Sequence, residues 1–138
     1  MKFQYSPTRI LDSRGKLVKR PMLVVELEQK SGGNIETYAV VDSGADTTTV
    51  HKQFAEALGV ELGEEGEIIG IGKEKVKRWM GTLSFRIKQT NIALTVPALY
   101  VDSPNVNILL GQEVFFDTFR IKFEKDHNTF EITPAPKK

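Results

Sequence analysis

The chain has 138 residues, 40% hydrophobic and 27% charged, which suits one domain with a core of its own and leaves little room for a second. Lys+Arg 19 against Asp+Glu 18 gives a formal charge of +1, without the basic excess that marks a dedicated nucleic-acid binder. No uninterrupted apolar run exceeds four residues, too short to cross a membrane, and Cys 0 excludes disulfides, cysteine metal sites and a thiol nucleophile.

The start, MKFQYSPTRI, lacks the apolar stretch of a secretory signal, so a cytoplasmic location with no membrane partner is expected. Residues 1–19 show no readable pattern and are set aside as an N-terminal segment without an assigned role. Leu23, Val25 and Leu27 alternate with Glu26 and Glu28, which predicts a half-buried strand. Ser31-Gly32-Gly33-Asn34 is a turn by composition, and Ile35–Val41 returns from it as the second strand of a hairpin. Phe54, Ala57 and Leu58 have helical spacing, with Gly59 placed to end a short helix.

Leu83, Phe85 and Ile87 predict another strand, and Ile92, Leu94 and Val96 one more, which Pro97 is expected to interrupt. Val114, Phe115 and Phe119 suggest a second helical turn or two after Gly111. Ile121 with Phe123 and Phe130 with Ile132 flank a polar turn at Lys125–Asn128, and residues 133–138 lack apolar anchors and are expected to fray as a flexible tail. The chain thus reads as all-β with one or two short helices: a single lobe over residues 20–132.

Charge is uneven. Residues 53–72 carry Glu56, Glu61, Glu64, Glu65 and Glu67 with no cation, whereas residues 73–88 carry Lys73, Lys75, Lys77, Arg78, Arg86 and Lys88 against Glu74. A solvated hairpin whose two strands attract each other accounts for this better than a patch for an acidic partner.

The chemistry concentrates in Ala39–Val50. A β-branched strand runs into Asp42-Ser43-Gly44, and small residues then permit a tight turn before a second β-branched run. A carboxylate at the inner end of a core strand sheds part of its hydration. Gly44 frees the backbone to turn and to offer N–H groups to that carboxylate, which suits Asp42 as a positioned general acid/base, although an isolated Asp-Ser-Gly is more often a polar turn that the aspartate caps. Downstream, Asn107-Ile108-Leu109-Leu110-Gly111 is an apolar strand that stops at glycine, and Ile68-Ile69-Gly70-Ile71-Gly72 between them is a glycine-hinged hairpin candidate.

In that order, these segments resemble the retropepsin-like aspartic proteases, the retroviral proteases and their cellular and prokaryotic relatives. The resemblance covers about residues 20–132 and implies the retropepsin-like acid-protease fold. It implies a protomer that supplies half an active site, completed in a homodimer by two Asp42 carboxylates that share a proton because both cannot ionise at such close range. One carboxylate takes a proton from water, which attacks the scissile carbonyl, and the other protonates the developing oxyanion. Ser43 would brace the pair across the dimer axis, Gly44 and Ala45 would admit an extended substrate, and Asp46 would contact its backbone. Gly70, Ile71 and Gly72 would form a flap, while Leu109, Leu110 and Gly111 support the site. No metal or other cofactor is implied, and the partners are a second copy of the chain and a peptide or protein in extended form.

Two features depart from the retroviral pattern. Gln112 and Glu113 follow Gly111 where retroviral members carry an arginine that pairs with the second aspartate, so Gln112 can offer Asp46 only a neutral amide hydrogen bond. Pro134 and Pro136 cannot donate ladder bonds, which disfavours the retroviral C-terminal interface strand. Asp102 precedes Ser103-Pro104 rather than a glycine, and Asp12-Ser13-Arg14-Gly15 carries an extra residue, so neither supplies a second catalytic aspartate. His51 and His127 are 76 positions apart without a metal signature and read as structural or surface histidines. Trp79 with Met80 could line a substrate cleft at the base of the flap, but packing is the role that large aromatics more often serve. The competing reading is a non-catalytic module of the same fold that binds extended peptides.

Overall fold

The structure of the chain is a computed structural model in which residues 1–69, 73–104 and 106–136 are described. Twelve strands are assigned among them: β1 (Lys2–Gln4), β2 (Ser6–Leu11), β3 (Leu17–Arg20), β4 (Met22–Glu28), β5 (Asn34–Val41), β6 (Thr48–His51), β7 (Glu65–Ile69), β8 (Lys75–Ile87), β9 (Ala93–Val101), β10 (Ile108–Leu110), β11 (Phe119–Glu124) and β12 (Thr129–Pro134). A short helix α1 (Gln53–Leu58) follows β6, and an irregular helical segment, Gln112–Phe116, follows β10. No helix among the described residues is long and apolar enough to cross a membrane.

Seven strands form one sheet in the order β4-β5-β10-β6-β9-β8-β7, and β4 also pairs with β8, so the sheet closes on itself. Period-two patterning sets its inside. Leu23, Val25 and Leu27 of β4 are buried, as are Leu83, Phe85 and Ile87 of β8. Val25 lies opposite Ile87 and Leu27 opposite Phe85 at the closure, where a one-residue slip would turn the buried set outward. Removing each such side chain from water contributes about 2 kcal/mol.

The predicted β4–β5 hairpin is present, with Glu28 opposite Asn34. The charged hairpin is also present, as β7 against β8, with Glu67 opposite Lys77 and Lys77 Nζ 4.0 Å from Glu65 Oε1. Helix α1 ends at Gly59 with φ 73°, and it buries Ala55 and Leu58 while Ala57 faces solvent.

Four expectations are corrected. Pro97 does not interrupt its strand: β9 runs through it, opposite Thr82, because β6 begins only opposite Ala98 and leaves that flank of Pro97 without a strand neighbour. Ile92 instead lies in the turn before β9, where its carbonyl accepts from Ile87 N–H at 2.9 Å. Phe119 does not continue the helical segment but opens β11, packing 5.6 Å from the buried Phe115 ring. Thr133 and Pro134 belong to β12, which ends with Pro134 opposite Phe119, and Ala135 N–H donates to Thr118 O at 2.9 Å.

The N-terminal segment is ordered. β1 pairs with β12, so that a second sheet runs β1-β12-β11, and Phe3 stacks on Phe130 at 5.4 Å. β2 and β3 form a separate two-stranded hairpin.

Candidate active site

Asp42 is the first residue beyond β5, and its position is set by the parallel pairing of β5 with β10. Leu109 lies opposite Val40 and Leu110 opposite Val41, and the Asp42 N–H donates to Leu110 O at 2.9 Å. The two motifs separated by more than sixty residues in sequence are therefore neighbouring strand ends. Val41 and Leu110 are buried, Asp42 and Leu109 are half-buried, and Ser43 and Gly44 are exposed.

The loop after Asp42 is a side-chain-closed turn. Gly44 N–H donates to Asp42 Oδ1 at 2.9 Å, and Ala45 N–H donates to Asp42 O at 3.2 Å. A Cβ on Gly44 would stand 3.2 Å from Asp42 Oδ1, so a small residue keeps the carboxylate in place. Asp42 Oδ2 makes no hydrogen bond with a described residue, which leaves it available to a reacting group. The chemistry on offer is that of a carboxylate with one oxygen fixed and one free, half out of water at an exposed edge.

Gly111 locks the second motif beneath this loop. Its N–H donates to Thr48 Oγ1 at 3.2 Å, and a Cβ there would fall 2.6 Å from Ala45 O and 2.7 Å from Thr47 C. Only glycine fits so close to another backbone. Two more bonds run across: Gln112 N–H to Ala45 O at 2.8 Å and Glu113 N–H to Asp46 O at 2.9 Å. The structure thus brings Asp42, Ser43, Gly44, Ala45 and Asp46 together with Leu109, Leu110 and Gly111. Gly70, Ile71 and Gly72, the expected flap, lie outside the described residues.

One residue of this cluster escaped sequence reading, and another has a different partner from the one considered. Thr48 is the fully buried polar side chain that receives Gly111, and its only signal was its place two residues before the buried Val50 on β6. Gln112 was expected to face Asp46. Its Nε2 instead donates to Ser43 O at 2.7 Å, because the backbone bonds of Gln112 and Glu113 already bind Ala45 and Asp46 and carry the amide back over the turn.

The other candidates lie elsewhere. Asp12 closes the β2–β3 turn, where the N–H groups of Lys16 and Arg14 hold its carboxyl below the usual aspartate range. Asp102 is exposed beyond β9, its N–H bonded to Lys77 O. His51 Nδ1 accepts from Gln53 N–H at 3.0 Å, and His127 Nε2 lies 3.3 Å from Asp126 Oδ2. Trp79 is partly buried against the core with Lys52 Nζ 4.4 Å from its ring centroid, whereas Met80 is exposed.

Comparison with known proteins bears on the family and the fold. The family model described as "gag-polyprotein putative aspartyl protease" matches residues 30–116. No match was found among curated protein sequences. Among solved structures, a retropepsin-like aspartic protease from Rickettsia conorii is similar, with a TM-score of 0.62 and 16% identity over 96% of this chain and 98% of that one. EIAV protease complexed with the inhibitor HBY-793 has a TM-score of 0.51 and 20% identity, covering 78% and 93% of the two chains. The retroviral protease-like domain of Ddi1 from Leishmania major has a TM-score of 0.52 and 17% identity, covering 83% and 94%. At these identities the likeness is one of fold. With the family match spanning most of the chain, it follows that this protein belongs to the gag-polyprotein aspartyl protease family and has the retropepsin-like fold.

Proposed function

We propose that the chain is an aspartic endopeptidase that acts as a homodimer, with Asp42 of each copy as the catalytic residue. The observation that supports this is the setting of Asp42: fixed by Leu110 O and Gly44 N–H at the end of a core strand, beside an exposed Ser43-Gly44 edge. That edge is where a second copy would bring its own carboxylate. Two such carboxylates share one proton, since like charges a few ångströms apart cannot both ionise. The ionised one takes a proton from water as the water attacks the peptide carbonyl, and the protonated one gives its proton to the carbonyl oxygen. Ser43 braces the pair, Gly44 and Ala45 admit the extended peptide, and Asp46 meets its backbone.

Peptide hydrolysis by wild type and Asp42→Asn across mildly acidic to neutral pH tests the proposal. The variant is expected to lose activity by about a hundredfold to ten-thousandfold, the usual worth of a positioned general base. Equal activity in both would overturn it. The competing reading, a peptide-binding module without hydrolysis, draws on the Gln112 amide being bound to Ser43 O while no cation pairs with Asp46 among the described residues. It requires peptide binding with no hydrolysis in either protein.

A further inference from the structure

Residues 6–20 pack little against the rest of the molecule. Among the described residues β2 and β3 pair only with each other, and none of their residues is buried. Leu11 lies directly opposite Leu17, at 61% and 52% exposure, and Ile10 beside them is 50% exposed. Three aliphatic side chains gathered at one hairpin tip mark a surface made for contact. The tip is not loose, because Asp12 Oδ1 accepts from Arg14 N–H at 2.8 Å and Lys16 N–H at 3.0 Å.

Charge and position select the occupant. The hairpin carries Arg9, Arg14, Lys16, Lys19 and Arg20 against Asp12, a net of +4, which leaves −3 for the rest of a chain whose total is +1. The body of a second copy therefore offers opposite charge to the hairpin. The hairpin also springs from beside Asp42: Pro21 O accepts from Val41 N–H at 2.8 Å, and Met22 opens β4 opposite Val40. Two Asp42 carboxylates that share a proton straddle a twofold axis, so each hairpin is rooted next to that axis. Six residues of strand extend about 20 Å, enough to lie across the neighbour. The terminal strand β12 offers no such contact by strand pairing, because β1 and β11 of the same chain occupy both its edges.

We propose that the hairpin of residues 6–20 is the dimerisation arm, laid by each chain on the body of the second copy. Ile10, Leu11 and Leu17 supply the buried contact, and the cations supply attraction and orientation. The proposal rests on the reading that two Asp42 form one site, and it names what holds them together. Seating the arm also sets how closely the two carboxylates approach, since Pro21 at its root is bonded to Val41, the residue before Asp42.

Sedimentation equilibrium of the full chain tests it, with wild type compared to Leu11→Asp/Leu17→Asp and Lys16→Glu/Lys19→Glu, each checked by thermal melting. The leucine variant is expected to melt as cooperatively as wild type does, because neither residue is in the core, with only the shift that weaker dimerisation brings, and to raise the dimer dissociation constant by about tenfold or more. The charge variant is expected to weaken the dimer more at low salt than at high salt. Variants that dimerise as wild type does would overturn the arm. So would a wild type that stays monomeric while the arm binds anionic vesicles or DNA instead. A wild type that dimerises through the arm but cleaves no peptide leaves the arm standing and overturns the protease reading alone.

Discussion

Gln112 decides how the loop around Asp42 is held. Its neutral amide donates to Ser43 O, so the loop depends on neither an ion pair nor the charge of Asp46. Gln112→Leu is expected to cost about 1 kcal/mol, the net worth of one such bond, and to lower kcat/KM several-fold. Gln112→Glu gives a sharper outcome. A protonated carboxyl can still donate to Ser43 O, whereas an ionised one repels it, so this variant should match wild type in acid and fall behind as pH rises through about 4–5. Pairs of pH–rate profiles measure it, and profiles that stay parallel would show that the amide does not position the loop. At this scale the sequence was legible where chemistry and local geometry coincide, at Asp42-Ser43-Gly44 and at Gly111. Thr48 and Gln112 were not legible because each acts on backbone 63 and 69 residues away, and such a bond leaves no local pattern.

Elements were legible in proportion to how much they bury. Strands β4, β5 and β8 alternate cleanly because one face meets the core, whereas β1, β2 and β3 are short and exposed and carry no alternation to read. Pro97 misled for a related reason: its cost depends on whether a neighbouring strand needs its N–H, which only the sheet order reveals. Tyr100 on β9 ties its strand to β8, its hydroxyl donating to Thr82 O at 2.7 Å across the ladder. Burial pushes that hydroxyl from the ordinary 10.0 up to about 12. The unfolded chain therefore ionises first, so the stability this group contributes is whole below pH 10 and is lost as pH rises toward 12. Tyr100→Phe is expected to cost about 1 kcal/mol at neutral pH, through the unpaired Thr82 carbonyl, and to flatten that alkaline loss. Urea unfolding at neutral and alkaline pH reads both effects.

For the molecule as a whole, the proposed shared site sets a dependence on concentration. Under the proposed function each chain contributes one Asp42 to a two-carboxylate site. Specific activity should therefore fall on dilution below the dimer dissociation constant, and assays over a range of enzyme concentrations at fixed substrate would show it. A specific activity independent of concentration down to the monomeric range would exclude the shared site. The all-β fold class was readable beforehand, since it follows from patterning along the chain. The closure of the sheet by β4 and β8 was not, because it joins segments about sixty residues apart.

The pairing of β5 with β10 has a further consequence, in the order of events during synthesis. The Asp42 loop is complete only when Leu110, Gly111 and Gln112 reach it, and those residues belong to the last third of the chain. At the usual pace of about 5–20 residues per second, several seconds separate the emergence of the two motifs from the ribosome. Throughout that interval the nascent chain carries Asp42 without the strand that positions it, so the loop around Asp42 takes its final form only late in synthesis.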